Sequence, residues 1–88
     1  MRIRIDGKAF FSRQDTHRAL RNALGKDNYQ GSNLDALHDC LTCIFTPTEI
    51  VIKNWSYAAR YLGEYADMLW HVLDDSTAEN PNITVVIE

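Results

Sequence analysis

The run Glu49-Ile50-Val51-Ile52-Lys53 constrains the fold most. It is β-branched at its centre and does not alternate between polar and apolar residues, so it suits a strand covered on both faces. Such a strand sits in the middle of a parallel sheet, and parallel neighbours need crossover connections, usually helical. Strand-like segments stand at both ends of the chain. Arg2-Ile3-Arg4-Ile5-Asp6 alternates as a strand with one buried face does, and Ile83-Thr84-Val85-Val86-Ile87 closes the sequence. The stretches between them carry helical periodicity, giving the order β-α-α-β-α-α-β. The expected fold is therefore α/β, a three-stranded parallel sheet packed with about four helices, with right-handed crossovers.

Helix signals divide these stretches. Ser12 and Asp15 have the spacing of a capping box, opening a helix that turns Leu20, Ala23 and Leu24 inward and stops at Gly25. A second helix runs from about Asn33 to Ile44, with Asn33 or Ser32 as its cap. Asn54 can cap a third helix that ends at Gly63, and a fourth runs from about Tyr65 to Thr77. Ala78 to Asn82 reads as a turn around Pro81. The aromatic set Trp55, Tyr57, Tyr61, Tyr65 and Trp70 reads as helix packing, and His17 and His71 read as partly exposed helix residues. Eighty-eight residues without a linker or repeat are expected to form a single domain, 1–88.

The second helix has two opposed faces. At about 100° per residue, Leu34, Leu37, Leu41 and Ile44 share one arc, while Asp35, His38, Asp39 and Thr42 share the other. Asp35 can meet the helix dipole near the N-terminus and close a box with Ser32. Asp39, in mid-helix, gains no such benefit, and like charges four residues apart repel by a few tenths of a kcal/mol. Spacing alone fits a solvated acidic face as well as one that awaits cations from a partner.

Tyr29-Gln-Gly-Ser-Asn-Leu-Asp-Ala-Leu-His-Asp-Cys-Leu-Thr42 as a whole decides between them. The pattern Gly31-x-Asn33-Leu34-Asp35-Ala36-Leu37-x-Asp39-Cys40-Leu41-Thr42 closely resembles the barstar family of intracellular ribonuclease inhibitors. A weaker resemblance covers the first strand, the segment from Pro47 to Ile52 and the last strand. It implies the same fold and a stoichiometric 1:1 inhibitor of a basic ribonuclease or nuclease toxin, monomeric when free and without enzymatic turnover. The Asp39 carboxylate would stand in for a substrate phosphate in the nuclease active site, with Asp35 beside it. Tyr29, Gly31, Asn33, His38 and Thr42 complete the implied partner-binding set, Tyr29 as an exposed anchor. Asp75 aligns approximately with a late family glutamate that pairs with an arginine. The family's proline in the connection after this helix makes Thr46-Pro47 a candidate cis bond.

Departures from the pattern lie mainly on this face. His38 stands where the family has tryptophan, Gln30 replaces a second tyrosine, and Cys43-Ile44 replaces Gly-Trp. The alternative is thus a non-catalytic binding module on the same fold that regulates another basic protein. His38, set among carboxylates, is expected to make binding pH-sensitive, as tryptophan could not.

Other function classes fit poorly. A net charge of −3 argues against direct binding of nucleic-acid backbones. No run approaches the ~18 apolar residues of a membrane span, and the charged N-terminal residues differ from a signal peptide, so a cytoplasmic location is expected. There is no P-loop, GxSxG or HExxH. Cys40-Leu-Thr-Cys43 is a C-x-x-C sequence near a helix C-terminus, where the dipole opposes thiolate formation. With His38 it offers three zinc ligands and no fourth, so neither a metal nor a cofactor is expected.

Overall fold

The computed structural model describes residues 1–88. Its elements are β1 (Arg2–Asp6), a 3-10 turn (Gly7–Ala9), α1 (Arg13–Leu24), α2 (Leu34–Thr42), β2 (Thr48–Lys53), α3 (Trp55–Leu62), α4 (Glu64–Glu79) and β3 (Ile83–Ile87). The sheet order is β1-β2-β3 and both pairings are parallel, so β2 is central. Ile50 lies opposite Ile3 on one side and Val85 on the other, and Ile52 opposite Ile5 and Ile87. Ile50, Val51 and Ile52 are each no more than 1% exposed, which is why the run could not alternate. One hydrophobic cluster joins Ile5, Phe10, Leu20, Leu24, Leu37, Leu41, Ile50, Ile52, Leu69 and Leu73. No helix is long and apolar enough to cross a membrane.

Local signals act largely as read. The Ser12 hydroxyl accepts the Asp15 amide at 3.0 Å, and α1 ends at Gly25 with φ 94°. Gly7 is required by close approach, since a β-carbon there would lie 2.6 Å from the Asn54 carbonyl oxygen. That contact accompanies a correction at Asn54. It precedes α3 in a left-handed conformation (φ 56°), and its side chain caps no helix; it donates instead to Asp6 Oδ1 at 3.0 Å. Asparagine tolerates this backbone state better than most residues.

Three further expectations are corrected. The chain contains no cis peptide, so Thr46-Pro47 is trans. Trans is intrinsically preferred even before proline, by about 0.5–1 kcal/mol. With this backbone the Pro47 carbonyl accepts the amino-terminus at 2.7 Å and the Thr48 amide reaches Asn82 O at 2.8 Å. α4 continues two residues past the expected Thr77, to Glu79. Pro81 disfavours helix only at the residue before it, and Asn80 is indeed extended (φ −125°, ψ 105°). His17, read as partly exposed, is fully buried, while His71 is exposed. Of the aromatic set, Tyr65 is buried, whereas Tyr61 and Trp70 are 40% and 37% exposed.

Candidate partner-binding face

Asn33 is the residue that starts α2. Its backbone is extended, its Oδ1 accepts the Ala36 amide at 2.8 Å, and its carbonyl accepts Leu37 N–H at 3.1 Å. The alternative box between Ser32 and Asp35 does not form. The preceding loop is packed tightly onto the helix. A β-carbon on Gly31 would fall 2.2 Å from that of Ala36, and the Gly31 carbonyl accepts Arg21 Nη1 at 2.9 Å. Close approach of loop to helix therefore explains Gly31.

From this start the two faces separate. Leu37 and Leu41 are fully buried, with Leu34 and Ile44 partly so. Asp35 and Asp39 project outward and are exposed. Ion pairs join Arg2 to Glu49 and Arg18 to Asp15, and His38 contacts Glu79, leaving Asp35 and Asp39 without a partner. The last turn of α2 holds no basic residue. Thr42 is half-buried, its hydroxyl donating to the carbonyls of His38 (2.9 Å) and Asp39 (3.2 Å). That hydroxyl is thus engaged with its own helix.

His38 departs from expectation in its neighbour. Its Nε2 lies 2.6 Å from Glu79 Oε2 on α4, so the carboxylate it contacts belongs to neither Asp35 nor Asp39. The ring is half-buried where α2 packs on α4. Asp75 is exposed one turn before Glu79 on α4, hence on the same side of that helix. Near the other end of α2, Met68 shares a recess with Leu34 and Asp35. The two helices thus bring Asp35, Asp39, Asp75 and Glu79 to one side of the molecule.

Tyr29 requires a correction. Expected as an exposed anchor, it is 1% exposed, with its hydroxyl 2.7 Å from His17 Nδ1 and donating to Asn33 O at 3.2 Å. The short turn after Gly25, closed by Tyr29 N–H to Gly25 O at 2.9 Å, folds the ring back over α1.

A sequence model of the family described as "Barstar (barnase inhibitor)" matches residues 1–88. The chain belongs to the barstar family. It is also 36% identical over 89 residues to the Bacillus subtilis (strain 168) protein named "Putative ribonuclease inhibitor YrdF", covering 99% of this chain and 98% of that one.

Within this barstar-family chain, Glu79 and Asn80 escaped the sequence reading. Extending α4 by two residues would have put Glu79 on the face of Asp75. Asn80 is 5% exposed and fastens α4 to the end of α2. Its Nδ2 donates to Leu41 O (2.9 Å) and Ile44 O (2.7 Å), and its Oδ1 accepts the Asn82 amide at 3.0 Å. Asn80→Ala should cost about 1–3 kcal/mol of stability, because buried polar groups lose partners. Each kcal/mol lowers Tm by roughly 4–8 °C in a domain this small. Calorimetry checks this, and an unchanged Tm would mean the bracket carries no load.

Cys40 is half-buried and Cys43 exposed, both as free thiols. Burial, and then the nearby Cys43, push the Cys40 thiol up, against thiolate chemistry. No group of three or more His, Cys, Asp or Glu is arranged to hold a metal ion. The double variant Cys40→Ala/Cys43→Ser should keep both fold and inhibition. Stoichiometric zinc in the purified protein, with unfolding on chelation, would show the opposite.

Proposed function

We propose that this chain is a non-catalytic inhibitor of a basic ribonuclease or nuclease toxin, which it blocks one-to-one by seating the acidic face of α2 in the enzyme's cationic active site. The observation that carries this reading is the pair Asp35 and Asp39, exposed, aligned on one helix face and in no ion pair within the chain. In a barstar-family chain such a pair is what an Arg- and Lys-rich phosphate site would accept. A carboxylate presents acceptor oxygens to the same donors that hold a phosphate, and charge-assisted hydrogen bonds to it are about twice as strong as neutral ones. Asp39 enters the active site, while Asp35, Asp75 and Glu79 surround it with like charge. His38, Thr42, Asn33 and the Gly31 loop frame the contact. Tyr29 supports the loop from beneath.

An enzymatic role is a poor match for this geometry. The recess beside Asp35 is open to solvent and does not include Asp39, whereas catalysis needs an enclosed site that orients substrate and excludes water. A cell that makes a secreted nuclease, or meets a neighbour's, must neutralise any copy in its cytoplasm, and a tight stoichiometric plug suffices.

A second reading is a binding module for a different basic protein. It is favoured by His38, Gln30, Cys43 and Ile44, which carry less aromatic contact area than the family pattern. Co-purification with nucleases from the same source, followed by titration of ribonuclease activity, separates the two. Loss of activity with an endpoint at one equivalent supports the inhibitor. Capture of a basic protein without nuclease activity supports the second reading.

A further inference from the structure

His38 stands where α2 packs on α4, and its two ring nitrogens meet different surroundings. Nε2 lies 2.6 Å from Glu79 Oε2. An ionised carboxylate only accepts, and two lone pairs would repel at that distance, so the nitrogen facing it carries the proton. In the neutral ring Nδ1 is then the bare nitrogen, an acceptor. Nδ1 takes part in no hydrogen bond of the chain, and no side-chain nitrogen or oxygen is buried without a partner. It therefore reaches solvent, on a side chain that is 34% exposed. The groups around it are mostly acidic. α2 contributes Asp35, one turn before, and Asp39, the next residue. α4 contributes Glu79 and Asp75, with His71 one turn before Asp75. Neither helix carries Lys or Arg, and Arg13 of α1 stands in the recess beside the first turn of α2. Cys40 and Cys43 line a separate recess with Met1 and Phe45.

We propose that His38 is a specificity-determining residue of the binding face, whose neutral ring accepts at Nδ1 a hydrogen bond from a cationic N–H donor of the partner, an arginine or lysine. The tryptophan of the family pattern cannot play this part, because an indole N–H only donates. The exchange to histidine thus reverses the polarity of the position. A partner that presents an acceptor here, as an indole would require, meets the bare nitrogen and the carboxylates around it. The donor is cationic because Asp35, Asp39, Asp75 and Glu79 are all exposed on this side, and hydrogen bonds from a charged donor are about twice as strong as neutral ones. Glu79 holds the ring in the tautomer that exposes the acceptor. Protonation undoes the arrangement twice. An imidazolium donates from both nitrogens, so the acceptor is lost, and its charge offsets that of the Glu79 carboxylate it touches. Imidazole rings change charge between roughly pH 8 and pH 5, so the preference for a cationic donor is complete at the upper end of that range and is lost toward the lower.

That the partner is a nuclease rests on the inhibitor reading above, but the donor preference at Nδ1 is measured on the chain itself and stands or fails separately. NMR of the ring nitrogens in the free protein, at about pH 8 where the ring is neutral, should find the His38 proton on Nε2. The probe for the face is a hexa-arginine peptide with capped ends, whose charge does not change with pH, titrated at low salt and followed by the amide shifts of α2. Its affinity for the parent should fall about three- to tenfold between about pH 7.5 and about pH 5.5, the effect of one hydrogen bond. Both values lie above the range in which carboxyl groups ordinarily titrate. His38→Gln keeps a side-chain acceptor and cannot titrate, so it should bind as the parent does at the higher pH and lose little at the lower. His71→Gln, the control on the same face, should keep the parent's loss. His38→Leu deletes the acceptor and should bind about three- to tenfold more weakly at the higher pH. This pattern in a chain that inhibits no ribonuclease would support the proposal and remove the inhibitor reading. A neutral ring protonated on Nδ1, no binding of the peptide by the parent, equal affinity at the two pH values, the parent's loss persisting in His38→Gln, or parent-like binding by His38→Leu would each overturn the proposal.

Discussion

Asp39→Ala should abolish most inhibition and leave the fold intact. Asp39 is exposed and makes no ion pair within the chain, so its removal opens no cavity and orphans no internal group. Alanine also favours mid-helix positions more than aspartate, and the repulsion from Asp35 disappears, so Tm should hold or rise slightly. The cost falls on the complex, where the nuclease cations would be buried without their counter-ion. Truncating one partner of such a pair costs about 2–5 kcal/mol or more, a range for which complexes of this family are themselves a reference case. That corresponds to a roughly 30- to 5,000-fold rise in Kd, mostly through faster dissociation. Asp35→Ala should cost less, since a rim charge remains hydrated after binding. Inhibition assays with both variants decide the matter. If both match the parent, the acidic face of α2 is not the inhibitory surface.

The sheet and the two faces of α2 were legible because each rests on a periodic signal. The unalternating Ile50-Val51-Ile52 run implied burial on both sides, and a central strand provides it. Leucines at helical spacing fixed which side of α2 faces the core, and that placed Asp35 and Asp39 outward. What periodicity does not encode is a polar side chain satisfied by another far along the chain. His17 is three residues from Leu20 and seven from Leu24, so it lies in the buried arc of α1. That position was a readable sign of burial, but its tyrosine partners, 12 and 48 residues away, were not. Tyr29 was misplaced for the same reason. The loop turns back on Gly25, and a phenol that could have faced a partner is held by an imidazole inside. Glu79 was missed through a boundary error of two residues. Ending α4 at Thr77 put Glu79 in a turn, whereas the helix places it against His38.

Association with the nuclease should slow steeply with added salt, while dissociation changes less. A net charge of −3 is too small to produce strong steering by itself. The distribution matters more. α2 and α4 carry Asp35, Asp39, Glu64, Asp67, Asp74, Asp75 and Glu79 and no Lys or Arg, so seven of the twelve acidic residues lie on these two helices and all nine basic residues lie elsewhere. The formal charge is therefore −7 on this pair of helices and +4 over the rest of the chain. A basic enzyme approaching the α2 side meets the negative field of Asp35, Asp39, Asp75 and Glu79, while Asp74 lies toward β3 and Arg13 is the cation in the recess beside Asp35. Such fields raise on-rates by about 10- to 1,000-fold, and they act only within the screening length, about 10 Å at 0.1 M salt and about 3 Å at 1 M. Pairs formed inside a closed interface are dehydrated and screened much less, so the dissociation rate should be comparatively insensitive. Stopped-flow mixing at low and high ionic strength measures both rates. Replacing Asp75 and Glu79 by their amides, at the flank of the face, should reduce the salt slope of association more than it changes dissociation. An association rate that is independent of salt would mean that the charge segregation between the α2–α4 pair and the rest of the chain does not guide encounter, and that capture depends on short-range fit alone.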